Sequence, residues 1–266
     1  MRVAHRTAGS STIAADSIRE QLGQSFNTMV VTGSGFSFKP QSAMVDESIP
    51  YAAVPGMPIG SVAGHAHEFR RIRSGAVNHL LCAGRFHLYE GHSPEDCTIL
   101  VDIAHELQCQ RVILMNAVGA LHSRYLVGDV VFPSECIDLT FMPQRLVSPA
   151  LARHPQSDDW RGRALDECRL AGLSVLSGTY VQVLGPSYET RSEVAMLRRL
   201  GGDIVGMSTA TEAKRARNHG IDYLVVSLVT NVHSTATANI VSHTDVIEAA
   251  HASANKLSKI IELCLV

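Results

Sequence analysis

Residues 77–116 read VNHLLCAGRFHLYEGHSPEDCTILVDIAHELQCQRVILMN, and this stretch carries a strand–helix–strand pattern. Val77 to Ala83 and Arg111 to Asn116 are short apolar runs of strand length. Between them Pro94 suits a first helical turn, and Ile99, Ile103, Ala104 and Leu107 recur at helical spacing. The spacing predicts a helix over Pro94 to Gln108. Such a unit builds a parallel sheet with helices packed on its faces.

The pattern repeats outward in both directions. Thr28 to Thr32 (TMVVT) reads as a buried strand running into Gly33-Ser34-Gly35. Downstream, strands are predicted at Thr179 to Leu184, Asp203 to Met207 and Asp222 to Thr230 (DYLVVSLVT). Helices are predicted over Glu189 to Leu200, from about Thr211, and over Thr244 to Leu265. The expected fold is α/β: a single domain over residues 1–266, with a mixed, largely parallel central sheet flanked by helices. Residues 1–20 are read as a lead-in. Residues 141–160, with Pro143, Pro149 and Pro155 and little periodicity, are read as a flap loop.

Composition narrows the function. The chain has 266 residues, 45% apolar and 18% charged, which excludes intrinsic disorder. Its formal net charge of −2 supplies no basic field for nucleic acid or an anionic membrane. No run of eighteen apolar residues occurs, so no spanning helix is expected. The opening MRVAHRTAGSSTIAADS lacks the apolar region of a secretory signal. Six cysteines without a CxxC pair, in a chain this long, are expected to be reduced and mostly buried, as in the cytoplasm.

Unusual residues cluster at predicted strand ends, where open α/β sheets bind ligands. Gly33-Ser34-Gly35 lacks both the third glycine of a dinucleotide fingerprint and the GKT or GKS of a Walker loop; alone it reads as an ordinary turn. In Gly84 to His92 (GRFHLYEGH), an extended backbone would put Arg85, His87 and Tyr89 on one side. That face suits an oxyanion and a sugar hydroxyl. His65-Ala66-His67 invites a metal reading with His87 and His92, but no zinc-site spacing accompanies it, and two satisfied histidines on opposite faces of a strand fit as well. Thr209 and Glu212 have capping-box spacing, which would set Ser208 at a helix N-terminus able to favour an anion. Ser242 to Asp245 reads as another helix start. Glu189 could be a first-turn acid, and Asn231 stands at the end of an apolar strand.

Taken in order, GRFHLYEG, MNAVGALH, YVQVLGPSYET, GGDIVGMST and SLVTN resemble the trimeric, low-molecular-mass purine nucleoside phosphorylases and their methylthioadenosine phosphorylase relatives. The resemblance runs from about Thr28 to the C-terminus. It implies a pentosyltransferase that converts a purine nucleoside and phosphate into free base and (deoxy)ribose 1-phosphate, in a cytoplasmic homotrimer serving purine salvage. It implies a phosphate site of Ser34, His65, Arg85, His87, Asn116, Ala117 and Ser208. Ribose would meet Tyr89, Met207 and His243, and the base Tyr188, Glu189 and Asn231. Glu189, Asn231 and His87 would be the catalytic residues. No metal or other cofactor is implied; inorganic phosphate is a co-substrate.

An amide at Asn231 can accept from purine N7–H and donate to a 6-oxo group, so inosine and guanosine are expected as substrates. His243 argues for a 5′-hydroxyl over a 5′-methylthio group. Three features depart from the family: Asn116 to Ala120 reads NAVGA rather than NAAGG, Phe36-Ser37 follows the GSG turn in place of leucine, and 141–160 lacks the family's flap sequence. A methylthioadenosine or methylthioinosine phosphorylase, a non-catalytic purine-binding protein and a metal hydrolase are the competing readings.

Overall fold

Period-two alternation in the buried strands distributes the core over two faces of one sheet. The computed structural model describes residues 9–38, 40–62, 64–142, 155–233 and 242–265. Its strands are β1 (Thr28–Val31), β2 (Met44–Pro50), β3 (Glu68–Ser74), β4 (Val77–Cys82), β5 (Arg111–Ala120), β6 (Val130–Asp138), β7 (Leu176–Gln182), β8 (Ile204–Gly206) and β9 (Asp222–Val232). Its helices are α1 (Ser10–Leu22), α2 (Pro94–Cys97), α3 (Ile99–Glu106), α4 (Pro155–Leu170), α5 (Arg191–Arg199), α6 (Ala210–Asn218), α7 (His243–Ala252) and α8 (Ala254–Cys264). Met29, Val31, Val112 and Leu114 pack beneath α1, α3 and α6, while Val30, Ile113, Met115 and Val226 pack beneath α4 and α8. Covering both faces is what permits four consecutive buried residues in β1 and seven in β9.

The sheet is mixed, with strand order β2-β3-β4-β1-β5-β8-β7-β6-β9 and a further β5–β9 pairing. That pairing closes β5, β8, β7, β6 and β9 into a ring. Parallel pairs join β4, β1, β5 and β9, whereas β2-β3-β4 form an antiparallel edge. The register on β5 creates the crevice. β9 accompanies β5 along its whole length, from Arg111↔Asp222 to Ala120↔Val232. On its other side β1 pairs only with residues 111–114, and β8 returns antiparallel at Gly119 and Ala120. Between these partners the edge of Met115 to Val118 lies open. This is the topological switch point at which such sheets take ligands.

Several sequence expectations need correction. The lead-in contains α1 from Ser10. The flap segment 141–160 ends in α4, which begins at Pro155; residues 143–154 lie outside the described residues. The helix expected over Pro94 to Gln108 is interrupted at Thr98, and the closing helix at Ser253. β2 was not anticipated because all but Ile49 of its residues are exposed, giving little apolar pattern. β6 was hidden by Pro133, beside which the pairing with β7 slips its register. All six thiols are free, and all but Cys136 are buried. No helix among the described residues is long and apolar enough to cross a membrane.

Candidate active site

The crevice beside Asn116 collects residues from seven segments of the chain. Gly33 and Ser34 follow β1, Arg85 to Tyr89 follow β4, and Asn116 to Gly119 come from β5. Tyr188 and Glu189 precede α5, Met207 and Ser208 follow β8, and Asn231 lies at the end of β9 with His233 just past it. His243 and Val246 of α7 complete the rim. The residues expected from sequence therefore converge on one cleft, except His65, which stands behind Ser34. A larger cavity of ≈650 Å³ bounded by β6, α4, α6 and β9 holds none of them. Its charges pair with one another, Lys214 with Asp138 and Arg161 with Asp158, each at 3.8 Å.

One end of the cleft is built to hold an anion. Arg85 is 1% exposed, the largest fully buried side chain among the described residues. Its Nη1 donates to the Met115 carbonyl and, at 3.4 Å, to Ser208 Oγ. Its Nε lies 3.3 Å from Glu212 Oε2, an ion contact without hydrogen-bond geometry, and Nη2 has no hydrogen-bond partner among the described residues. Both amide atoms of Asn116, 2% exposed, are likewise without one. Buried polar atoms are almost always paired in native proteins. A guanidinium nitrogen and an amide both left open at one crevice point to a polar ligand that satisfies them.

Histidines complete this end. His65 Nδ1 accepts from the Arg85 backbone N–H at 3.0 Å, so its proton resides on Nε2, which donates to Ser34 Oγ at 2.9 Å. Ser34 keeps its own O–H free to donate into the cleft. Gly84 makes this possible: its φ is +134°, and a Cβ would stand 2.8 Å from His65 Nδ1. His87 places Nδ1 3.1 Å from Glu90 Oε2, which also accepts from the His87 backbone at 2.9 Å. The His87 ring stacks on Tyr89 at 4.8 Å. Burial, with help from the charges of His87 and Arg85, lowers His65 to about 2. Burial also lowers His87, against the pull of Glu90. Glu90 itself is held at about 2: burial opposes this, but hydrogen bonds from His87 and Ser61 prevail.

These neutral imidazoles bear on stability in acid. The unfolded chain takes up a proton at His65 near pH 6.5, whereas the folded chain resists until about 2. Stability is therefore full above 6.5 and declines as the pH falls below it. Urea unfolding is expected to lose up to about 1.4 kcal/mol per pH unit through His65 alone. His65→Gln should flatten this slope; an unfolding free energy unchanged between about pH 7.5 and about pH 5 would contradict the assignment.

Three local expectations differ from the structure. The backbone after β4 is not extended: Leu88 to Glu90 form a 3-10 turn, which still presents Arg85, His87 and Tyr89 to the cleft. His65 and His67 do not lie on opposite faces of a strand. They precede β3, with their rings stacked at 5.5 Å. The Thr209/Glu212 capping box does not form. Thr209 has φ 80° and ψ −47° and makes no side-chain cap, so Glu212, 2% exposed, turns inward to Arg85. Burial pushes the Glu212 carboxyl up, against the attraction of Arg85. The helix carrying it is tied to α3, because Arg215 and His219 both reach Asp102, at 2.5 and 2.7 Å.

The other end of the cleft gathers Glu189, Asn231 and His233. Glu189 is not a first-turn acid. Thr190 caps α5 in a reciprocal box with Glu193 (2.7 and 3.3 Å), leaving Glu189 outside the helix. The Glu189 side chain is 6% exposed, with Oε2 3.2 Å from His233 Nε2. His233 and Glu212 are the residues the motif reading missed. Alternation along β9 from Asn231 would have indicated His233 had the strand been extended past Thr230. Ser242 and Asp245 do form a capping box, and it sets the exposed His243 at the start of α7. Among the described residues, no group of three or more His, Cys, Asp or Glu could hold a metal ion.

The chain is similar to known phosphorylases in sequence and in fold. The sequence pattern of the phosphorylase superfamily covers residues 27–265. The purine nucleoside phosphorylase of Mycobacterium leprae is 34% identical over 252 residues, spanning 93% of this chain and 92% of that protein. The rat purine nucleoside phosphorylase is 31% identical over 255 residues, with 89% and 87% covered. Among solved structures, a schistosome purine nucleoside phosphorylase in complex with hypoxanthine superposes with a TM-score of 0.84 at 26% identity, covering 99% of this chain and 98% of that one. A schistosome purine nucleoside phosphorylase in complex with guanosine gives 0.83 at 25% identity, with 99% and 98% covered.

Proposed function

Because this chain belongs to the phosphorylase superfamily, we propose that its cleft binds inorganic phosphate at the Arg85 end and a 6-oxopurine nucleoside across to Glu189, Asn231 and His233. The activity is phosphorolysis of purine nucleosides, a pentosyl transfer to phosphate. The observation that carries the phosphate assignment is the pair of open donors at one crevice, Arg85 Nη2 and the Asn116 amide. Ser34, Ser208 and the backbone at Asn116-Ala117 supply further polar groups, and His87 Nε2 accepts from a protonated phosphate oxygen. The fixed charge of Arg85 meets the anion, with phosphate as co-substrate and no other cofactor in the reading.

In the reaction a phosphate oxygen forms a bond to the anomeric carbon while the bond to purine N9 breaks. The bonding pair leaves with the base, which ends protonated at N7 as the monoprotonated phosphate gives up the proton it carried. Positive charge develops on the sugar beside the phosphate, and negative charge on the departing purine. Glu189 accepts from N1–H, while Asn231 accepts from N7–H and donates to O6, so the groups that meet the developing charge stand ready before the bond breaks. Tyr89, Met207 and the rim residue His243 flank the pentose between the two ends, and Tyr188 borders the base. The neutral phenol of Tyr89, kept protonated by burial, suits a sugar hydroxyl.

Purine salvage, assembly as a homotrimer and residence in the cytoplasm belong to the same proposal; the free thiols support a reducing compartment. The deciding assay measures base release from inosine and adenosine with and without phosphate. Strict dependence on phosphate, with inosine preferred, is the expected result. Release in water alone would refute transfer to phosphate, and equal rates on the two nucleosides would refute the 6-oxo preference.

A further inference from the structure

The base end of the cleft is shaped around His233. Its backbone is fixed from two sides: N–H donates to the Ala120 carbonyl at 2.9 Å, and its own carbonyl accepts from Arg198 of α5 at 3.1 Å. The ring is 10% exposed, with Nε2 3.2 Å from Glu189 Oε2 and 3.5 Å from Asn231 Nδ2. Gly119 leaves the space it needs, since a Cβ there would stand 2.6 Å from His233 Nε2 and 2.9 Å from Asn231 Nδ2.

We propose that His233 is a specificity-determining residue: by donating Nε2–H to Glu189 it keeps that carboxylate an acceptor toward the N1 edge of the base, selecting purines that carry a proton there. The inference rests on the 6-oxopurine reading above and gives it a physical cause. A carboxylate oxygen has no proton, so a contact with imidazole is attractive only when the facing ring nitrogen bears one. The bond occupies one carboxylate oxygen and leaves the other for the base. A 6-oxopurine presents N1–H to it, whereas a 6-aminopurine presents a lone pair. Two acceptors would then face each other in a buried site, and a site built for a hydrogen bond discriminates strongly against a partner that leaves it unpaired. With His233 removed, the carboxylate loses the contact that orients it and no longer holds an acceptor fixed opposite N1.

The test compares kcat/KM for inosine and adenosine in wild type, His233→Leu and His233→Gln, with calorimetric binding of hypoxanthine and adenine as a second measure. His233→Leu is expected to lower kcat/KM for inosine about 10- to 100-fold. It should also narrow the inosine-to-adenosine ratio at least about tenfold. His233→Gln keeps an N–H donor and should hold the ratio within about threefold of wild type. A residue that only supports the cleft would depress both substrates alike. A wild-type preference that survives unchanged in His233→Leu, in rate ratio and in binding, therefore overturns the inference alone. A wild-type chain that cleaves both nucleosides equally overturns the 6-oxo reading and the inference with it.

Discussion

Replacing Arg85 by alanine is expected to lower kcat/KM for phosphate by at least about 10²–10³-fold, the usual effect of removing one preorganised donor to developing charge. The same substitution should cost about 3–5 kcal/mol of folding free energy, because it strands a buried charge. The stability cost follows from one contact. The guanidinium is 1% exposed and Glu212 is 2% exposed, with 3.3 Å between Nε and Oε2. The double variant Arg85→Ala/Glu212→Gln separates the two roles. With no carboxylate left to strand, it should recover much of the stability in urea unfolding while phosphate turnover stays low. If Arg85→Ala kept its KM for phosphate within about threefold, the anion would have to bind elsewhere, because among the described residues no other guanidinium lines this crevice.

Glu189→Ala is expected to lower kcat/KM for inosine by about 10²–10³-fold while leaving phosphate binding, measured by calorimetry, close to wild type. Its carboxylate is 6% exposed at the far end of the cleft from Arg85 and meets His233 at 3.2 Å. Alanine removes the acceptor for N1–H and leaves His233 without its carboxylate. Glu189→Gln retains a carbonyl acceptor but loses the charge, so its loss should be smaller, about tenfold. Turnover of inosine within about twofold of wild type in Glu189→Ala would remove this residue from the base contacts.

Much of this molecule can be read from local pattern. Buried strands such as Thr28–Val31 and Asp222–Val232 announce themselves because a sheet covered on both faces needs unbroken apolar runs. Pro94 and Ser242 mark helix starts, the first because it has no N–H to leave unpaired in a first turn, the second because its hydroxyl accepts from one. The polar residues at strand ends, from Ser34 to Asn231, stand out against those runs, so the candidate cleft is legible as a set of motifs.

The motifs do not say how their residues meet. Edge strand β2 and proline-bearing β6 lack a periodic signal, because their order comes from pairing with neighbours distant in sequence. Glu212 has capping-box spacing, yet it points into the core, since the backbone at Thr209 is left-handed and a buried guanidinium 127 residues earlier in the chain needs a counter-charge. His233 acquires meaning only once β9 has brought it beside Glu189. Spacing along a chain reports what each segment can form by itself. Which side chains share a buried charge or a proton depends on three-dimensional proximity, and here that proximity arises where β1 and β8 leave the edge of β5 uncovered.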